Sequence, residues 1–222
     1  MGKIKDRALP DYTLGEELFN MISHIAGALL GIVVITMCVA KSAVGNNIFG
    51  IVGSAIYGGS MIILYTMSSV YHGLPKNTVK KVFRVLDHCT IYFLISGTYT
   101  PIALCAIREV NEVAGWVVFG IEWGLTALAV TLTAIDMKKF NAFSMSCYVI
   151  MGWCIIVVPW LAVEALTLPG FLFILIGGVL YTIGAVIYGI GKKVRYMHSI
   201  FHLFVFFGSL VQFLGVYMYA IK

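Results

Sequence analysis

Long apolar stretches, separated by short polar segments, run through the whole chain. Seven of them are about twenty residues long, which is the length that an α-helix needs to cross a bilayer. They cover residues 18–40, 48–71, 85–107, 114–135, 143–163, 168–190 and 197–221. The pattern therefore predicts an all-α membrane protein with a single domain, residues 1–222, built as a bundle of seven transmembrane helices.

The composition excludes a soluble protein. Hydrophobic residues make up 60% of the chain and charged residues 11%, and the mean hydropathy is +0.96. A soluble domain is about half apolar and a quarter charged. The first ten residues are polar and basic, and no small-residue cleavage site follows a short apolar core, so we expect the first span to be retained. The protein is predicted to be a multi-pass protein of the cell membrane, of the bacterial plasma or inner membrane type.

The distribution of positive charge predicts the orientation of the bundle. Twelve of the fifteen Lys and Arg residues fall in the segments on one side of the predicted membrane, and three fall on the other. The larger group comprises Lys3, Lys5, Arg7, Lys76, Lys80, Lys81, Arg84, Lys138, Lys139, Lys192, Lys193 and Arg195; the smaller comprises Lys41, Arg108 and Lys222. Cytoplasmic segments are enriched in Lys and Arg. We therefore expect a cytoplasmic N-terminus and an external C-terminus.

The longest polar break, residues 73–84, carries four of these basic residues. Basic residues next to a membrane span commonly bind the headgroups of anionic lipids. Lipid anchoring is our interpretation of this segment, and steering of a substrate is the alternative.

All five histidines fall near the predicted cytoplasmic face. His72 ends the second span, while His198 and His202 lie four residues apart at the start of the seventh and so share one helix face. Ionisable residues inside membrane spans are costly and are candidates for function. A catalytic zinc site uses three protein ligands and leaves a fourth position for water. The alternative is that these imidazoles make ordinary hydrogen bonds between helices.

Two further polar residues are expected at the same depth. Ser68 lies one turn before His72, and Asp87 lies at the start of the third span. A carboxylate beside a zinc ion could orient water or accept its proton, and a hydroxyl could donate a hydrogen bond to the water or to a substrate oxygen. Asp87 and Ser68 are therefore the predicted catalytic residues. His88 follows Asp87 but points about 100° away on a helix, so we interpret it as structural.

A polar stripe opens the first span. Glu17, Asn20 and His24 lie on one helix face and reach about two turns into the membrane. Either they buttress the bundle, or they support the zinc ligands from behind and line the substrate mouth. Glu122, in the outer half of the fourth span, is expected to have a partner inside the bundle or to be protonated, with no catalytic role.

Four motifs occur in order along nearly the whole chain. They are Glu17-x-x-Asn20-x-x-x-His24, Ser68-x-x-x-His72, Leu86-Asp87-His88 leading to Ser96-Gly97-Thr98-Tyr99-Thr100-Pro101, and His198-x-x-x-His202. Together they resemble the haemolysin III branch, bacterial type, of the progestin and adipoQ receptor (PAQR) family. The resemblance implies a seven-helix fold with a cytoplasmic N-terminus and one Zn²⁺ per chain, bound by His72, His198 and His202. It also implies that Asp87 and Ser68 hold the zinc-bound water.

Two functions follow from this resemblance and from the residues. The receptor members of the family, and the alkaline ceramidases proposed as their relatives, suggest a zinc-dependent hydrolase acting on a lipid amide or ester at the cytoplasmic leaflet. The alternative is a non-enzymatic cytolysin, as the haemolysin label of bacterial members suggests, or a regulator of membrane state with a structural zinc. The expected partner is a membrane lipid. No nucleic acid is expected, and the short outer loops argue against a protein hormone.

Overall fold

Helices form almost the whole of the described chain. The computed structural model describes residues 8–191 and 194–221, and it contains no β-strand in these ranges. The helices are α1 (Leu14–Val44), α2 (Ile48–Gly73), α3 (Thr78–Pro101), α4 (Glu112–Asp136), α5 (Asn141–Gly152), α6 (Pro159–Ile190) and α7 (Met197–Gly215). After Pro101, α3 continues as a π-helical turn (Ile102–Ile107) and a last α-helical turn (Arg108–Val110), and α7 ends in a π-helical turn (Val216–Ala220).

Six of these helices are long and apolar enough to cross a membrane: α1, α2, α3 with its continuation, α4, α6 and α7. The predicted class, an all-α multi-pass membrane protein, is confirmed. The seven-span count and the orientation stay predictions. Several charges that support the predicted orientation, namely Lys3, Lys5, Arg7, Lys192, Lys193 and Lys222, lie outside the described residues.

The predicted fifth span, residues 143–163, is not one helix in the structure. Helix α5 ends at Gly152, a 3₁₀ turn follows at Cys154–Ile156, and α6 begins at Pro159. Proline has no N–H to donate to a preceding turn and disfavours helical geometry in the residue before it, and Val158 is accordingly non-helical with φ −130° and ψ 63°. A second interruption occurs within α6 at Thr167, where φ is 62° and ψ is 165°. Hydropathy does not detect the break at residues 152–158, whereas the interruption at Thr167 coincides with the polar residues 164–167 that separate the predicted fifth and sixth spans.

Helices α1 and α2 pack closely through small residues. A Cβ atom added at Gly27 would lie 2.3 Å from the Tyr65 ring, and one added at Gly58 would lie 2.4 Å from Cβ of Ile35. Small residues allow the backbones of membrane helices to approach each other. The close contact fixes the spacing between α1 and α2, which carry Glu17 and His72 near their adjoining ends.

Helix α3 lies at the centre of the bundle, and every residue from 96 to 107 is buried. It begins seven residues earlier than the apolar pattern predicts, because Asn77 caps it: the side-chain oxygen of Asn77 accepts a hydrogen bond from the backbone N–H of Lys80 at 2.9 Å. The polar break after α2 is therefore short, and Lys80 lies in the first turn of a helix instead of in a loop.

Candidate metal centre

Three histidines converge where the end of α2 meets the start of α7. Nε2 of His198 lies 3.3 Å from Nε2 of His72 and 3.1 Å from Nε2 of His202. One nitrogen from each residue lies within 4.8 Å of the others. His72 and His202 are almost fully buried, and His198 is partly buried. The structure thus brings together the three residues that the sequence predicts as metal ligands, although they come from segments 126 residues apart.

These distances fit a tetrahedral metal ion. Zinc–nitrogen bonds of about 2.0–2.1 Å at tetrahedral angles place two ligand nitrogens about 3.3 Å apart. Nδ1 of neutral His72 donates its proton to Glu17, which leaves a lone pair on Nε2. Nε2 of His198 carries either one proton or one lone pair, so it cannot both donate to His72 and pair with His202, and hydrogen bonds alone do not satisfy the three nitrogens. One cation can accept all three lone pairs. The donor set of three imidazoles suits zinc among other transition metals.

A carboxylate and a buried lysine lie behind His72. Nδ1 of His72 lies 2.7 Å from Oε2 of Glu17, and the other carboxylate oxygen of Glu17 accepts a hydrogen bond from Nζ of Lys80, also at 2.7 Å. Metal-binding histidines usually donate their second ring N–H to a carboxylate or a carbonyl, which leaves the first nitrogen free for the metal. The Glu17 carboxylate therefore holds His72 with its Nε2 lone pair facing the other two histidines.

Stacked rings hold the other two histidines. His24 stacks on His202 with ring centroids 3.6 Å apart, and Tyr12 stacks on His198 with centroids 5.0 Å apart. Nδ1 of His198 and Nδ1 of His202 have no hydrogen-bond partner among the described residues. Ring stacking supports both imidazole planes, and the backbone of Asn20 also interacts with the His202 ring. The polar stripe of α1 thus reaches the histidines through Glu17 and His24. Its third member, Asn20, is fully buried and lies between them along α1, and the role of the stripe stays a prediction.

The segment before α1 lies across this cluster and is anchored at three points. Nη1 of Arg84 donates to the backbone oxygen of Ala8 at 2.6 Å, and Nζ of Lys76 donates to the carboxylate of Asp11 at 2.6 Å. The hydrogen bond and the charge of Lys76 lower the pKa of the Asp11 carboxyl. The third anchor is Tyr12 itself, since its ring covers one face of His198.

A cavity of about 380 Å³ begins at the histidines and is enclosed mostly by apolar side chains of α2 to α7. His198, His202, Ser68 and Asp87 line its polar end. Val149 of α5 and Val186 of α6 also line the cavity, and they are 50% and 55% exposed. The cavity therefore extends from His198 and His202 to partly exposed side chains of α5 and α6.

The structure places both predicted catalytic residues on the cavity wall. Ser68 is buried, and its hydroxyl has no partner among the described residues, so it is available to a molecule in the cavity. The side chain of Asp87 is 14% exposed and lies 3.7 Å from Nδ1 of His88. His88 also lines the cavity and interacts with the backbone oxygen of Arg84 at 2.9 Å. Its position beside Asp87 makes it a closer neighbour of the site than the helical geometry suggested.

Glu122 lies in a separate, buried polar cluster between α3 and α4. Ser96 donates to the backbone oxygen of Glu122 at 2.9 Å and lies 2.6 Å from the hydroxyl of Thr126. Glu122 is 1% exposed, and among the described residues none is recorded in an ion pair with it. The carboxyl group itself has two neighbours inside the bundle: the Ser96 hydroxyl, 3.5 Å from Oε2, and the Cys154 thiol. Glu122 is not among the residues that line the cavity.

Comparison with known proteins identifies the family of the chain. The profile of the family described as "Haemolysin-III related" matches residues 12–213. The chain belongs to this haemolysin III-related family. It is 36% identical to Hemolysin-3 of Bacillus cereus over 206 residues, which cover 93% of this chain and 92% of the relative. It is 33% identical to the Hemolysin-3 homolog of Bacillus subtilis (strain 168) over 211 residues, 95% of this chain and 97% of the relative.

A more distant relative of this haemolysin III-related protein is mammalian. The chain is 26% identical to the monocyte to macrophage differentiation factor of Rattus norvegicus over 173 residues, which cover 75% of this chain and 70% of the relative. The predicted family resemblance is therefore confirmed for the haemolysin III branch and extends to mammalian members.

Sequence analysis missed two residues of this haemolysin III-related protein. The sequence predicts that Lys80 lies at a lipid surface with three other basic residues, but Lys80 is 2% exposed and bonded to Glu17. Tyr12 was not considered, because it precedes the first apolar stretch. The acid–base pairing of Glu17 and Lys80 links residues 63 positions apart, so no local pattern indicates it.

Proposed function

We propose that this haemolysin III-related protein is a zinc-dependent hydrolase acting on a lipid amide or ester at the cytoplasmic leaflet. One observation carries the proposal: three converging imidazoles lie at the polar end of an apolar cavity that extends to partly exposed side chains of α5 and α6. Cavities of some 300–1,000 Å³ that are mostly apolar, with a few convergent polar groups, are typical of small-molecule sites. An acyl chain in the apolar part would bring the linked carbonyl group to the histidines.

His72, His198 and His202 would hold the ion. Bound zinc would supply Lewis-acid polarisation of the carbonyl and would lower the pKa of water. Asp87 would orient a water molecule and take its proton as the water oxygen bonds to the carbonyl carbon. Asp87 would then pass that proton to the leaving nitrogen or oxygen as its bond to the carbonyl carbon breaks. Ser68 would donate a hydrogen bond to the carbonyl oxygen or to the water, since its hydroxyl faces the cavity without another partner.

We infer a seven-pass topology in which α5 and the first part of α6 together form the fifth crossing. The non-helical geometry at Thr167 separates this part of α6 from the remainder. The remainder packs antiparallel to α7: Gly170 lies against Tyr219, and Gly184 lies against Phe204. Irregular backbone at membrane depth is tolerated where it is buried or lines a cavity, and Gly152 and Trp153 at the break do line the cavity. With a cytoplasmic N-terminus, the histidines lie at the cytoplasmic leaflet.

Membrane lysis is the second candidate, with zinc in a purely structural role. It is favoured by the names of the two bacillary relatives, Hemolysin-3 and Hemolysin-3 homolog. A metal that only joins α2 to α7 would need neither Asp87 nor Ser68 beside it.

Replacing Asp87 separates the two candidates. Purified wild-type protein should contain about one zinc per chain and hydrolyse at least one member of a panel of lipid amides and esters in nanodiscs. Asp87→Asn should keep the metal and lose rate by about 10²–10⁴-fold, the usual effect of removing a proton acceptor. His202→Ala should lose the metal together with the activity. Glu112→Gln, which neutralises an exposed carboxylate away from the cavity, is the matched control and should resemble wild type.

Two results would count against the hydrolase. The first is a zinc-loaded wild-type protein that hydrolyses no member of the panel yet lyses vesicles, with Asp87→Asn lysing them equally well. The second is wild-type protein with less than about 0.2 zinc per chain after purification without chelators, which would remove the metal centre itself.

A further inference from the structure

Lys80 joins three helices through one buried ammonium group. Its Nζ donates to Oε1 of Glu17 on α1 at 2.7 Å and to the backbone oxygen of Leu74 at 2.9 Å. A third, longer contact of 3.4 Å reaches the backbone oxygen of His72. The ammonium also lies 5.1 Å from the centre of the Tyr71 ring. Lysine has three N–H donors and no acceptor, so these three oxygens account for all of its hydrogen-bonding capacity.

Two of these oxygens belong to the end of α2, where His72 lies. The last carbonyl groups of a helix have no partner within the helix, and a basic side chain commonly satisfies them. The third oxygen belongs to the carboxylate that also contacts Nδ1 of His72 at 2.7 Å. Lys80 therefore acts on His72 by two routes: on its backbone directly, and on its ring through Glu17.

The three candidate ligands differ in how firmly their own helices hold them. His198 and His202 lie one turn apart on α7, so the helix itself fixes their relative position. His72 is the single ligand from α2 and lies in the last turn, next to the helix end at Gly73. A single ligand at the end of a helix is not held in position by a second ligand on the same helix. Lys80 and Glu17 hold His72 in position from outside α2.

We propose that Lys80 is a positioning residue of the metal centre, which orients His72 through the Glu17 carboxylate. The inference rests on the proposed metal centre but not on any hydrolytic activity. A role in binding lipid headgroups is a poorer explanation, because a side chain that is 2% exposed and bonded to three protein oxygens has no donor left for a phosphate.

The test measures metal affinity by competition with a chromogenic chelator, using detergent-purified protein. Lys80→Met keeps the length of the side chain and removes the ammonium, and it should bind zinc about 10–100-fold more weakly, as expected when a residue behind a metal ligand is removed. Lys138→Met removes a positive charge from an exposed position and should bind zinc as wild type does. If Lys80→Met does not fold, Lys80→Gln, which keeps one N–H donor group, replaces it.

A double variant shows whether Lys80 acts through Glu17. If it does, Lys80→Met should weaken zinc binding less in the Glu17→Gln background than in wild type, because the route through Glu17 is already lost and only the backbone contacts of Lys80 remain. Full multiplication of the two single effects would overturn the proposed route. Thermal unfolding of the metal-free and metal-loaded protein separates a positioning role of Lys80 from a merely structural one. A structural role lowers the melting temperature of the metal-free and metal-loaded forms equally, whereas positioning reduces the increase that zinc produces.

The outcomes distinguish a failure of this inference from a failure of the proposed metal centre. Wild-type protein without measurable zinc affinity would reject the metal centre. Wild type that binds zinc, with Lys80→Met binding it equally well, would reject only the role of Lys80.

Discussion

The adjacent glycines Gly58 and Gly59 of α2 provide an internal test of how helix spacing supports the metal centre. A Cβ at Gly58 would lie 2.4 Å from Cβ of Ile35 and 2.7 Å from two backbone atoms of the same residue. At Gly59, apart from the adjacent residues and the nearby backbone of α2 itself, no heavy atom of the described residues lies within 4 Å of the added Cβ. The two substitutions to alanine are chemically identical and one residue apart, but only the first pushes α1 away from α2.

The magnitude follows from the contact distances. Carbon atoms pack at about 3.5–4.0 Å, so the backbone of Ile35 must retreat by about 1 Å, which a helix cannot do through a side-chain rotation. Overpacking of this kind costs about 1–3 kcal/mol. Gly59→Ala should instead stabilise the protein by up to about 1 kcal/mol, because alanine is the better helix former. In a protein of this size, 1 kcal/mol corresponds to about 2–4 °C in melting temperature.

The functional consequence concerns the bond between Glu17 and His72, which joins the same two helices. A separation of about 1 Å would lengthen their 2.7 Å contact beyond hydrogen-bonding distance unless the side chains compensate. Gly58→Ala should therefore melt about 2–12 °C below wild type and bind zinc more weakly, whereas Gly59→Ala should do neither. Thermal scans with and without zinc, together with chelator competition, measure both. Equal melting temperatures for the two variants would refute the packing argument.

Three further predictions concern topology, the buried acid and the N-terminal segment. The cysteine introduced by Lys76→Cys should react with a membrane-impermeant maleimide in inside-out vesicles. The cysteine introduced by Glu112→Cys should react in right-side-out vesicles. The reverse pattern would show that the bundle has the opposite orientation. Glu122→Gln should melt within a few degrees of wild type, since the neighbours of this carboxyl are the uncharged side chains of Ser96 and Cys154, whereas marked destabilisation would show that its negative charge is required. Tyr12→Ala should lose zinc to a chelator severalfold faster than wild type, and Tyr12→Phe should not, because the ring and not the hydroxyl covers His198; equal rates for both variants would contradict this.

The apolar pattern predicts the helices better than their ends. It places the first span at residues 18–40, whereas α1 runs from Leu14 to Val44, because the capping box formed by Thr13 and Glu16 starts the helix outside the apolar stretch. The same limitation explains the early start of α3 at its cap, Asn77. The division of the fifth stretch depends on Pro159 and on the tertiary contacts of residues 152–158. A hydropathy average cannot resolve a break of that length.

The site could be predicted to the extent that helical spacing and membrane depth determine it. His198 and His202 must share a helix face, and His72 must lie at the same depth if the spans alternate. The partners that hold these residues could not be predicted, because they depend on which helices become neighbours. Lys80 shows this most clearly: its sequence context is that of a basic, solvent-exposed segment, yet the packing of α1 against α2 and α3 encloses it.

The arrangement of the three candidate ligands also affects how distant parts of the chain are held together. A cation shared by His72 and His198 would cross-link two points that are 126 residues apart, enclosing α3, α4, α5 and α6 in one loop. Cross-links that close long loops restrict the unfolded chain most. The ion would then join α2 to α7 at one end of the bundle. Its removal would weaken the contacts of α7 with α1 and α2. Limited proteolysis after chelation would therefore be expected to cut first near the ends of α2 and α7 that carry the histidines, while α7 stays packed against α6.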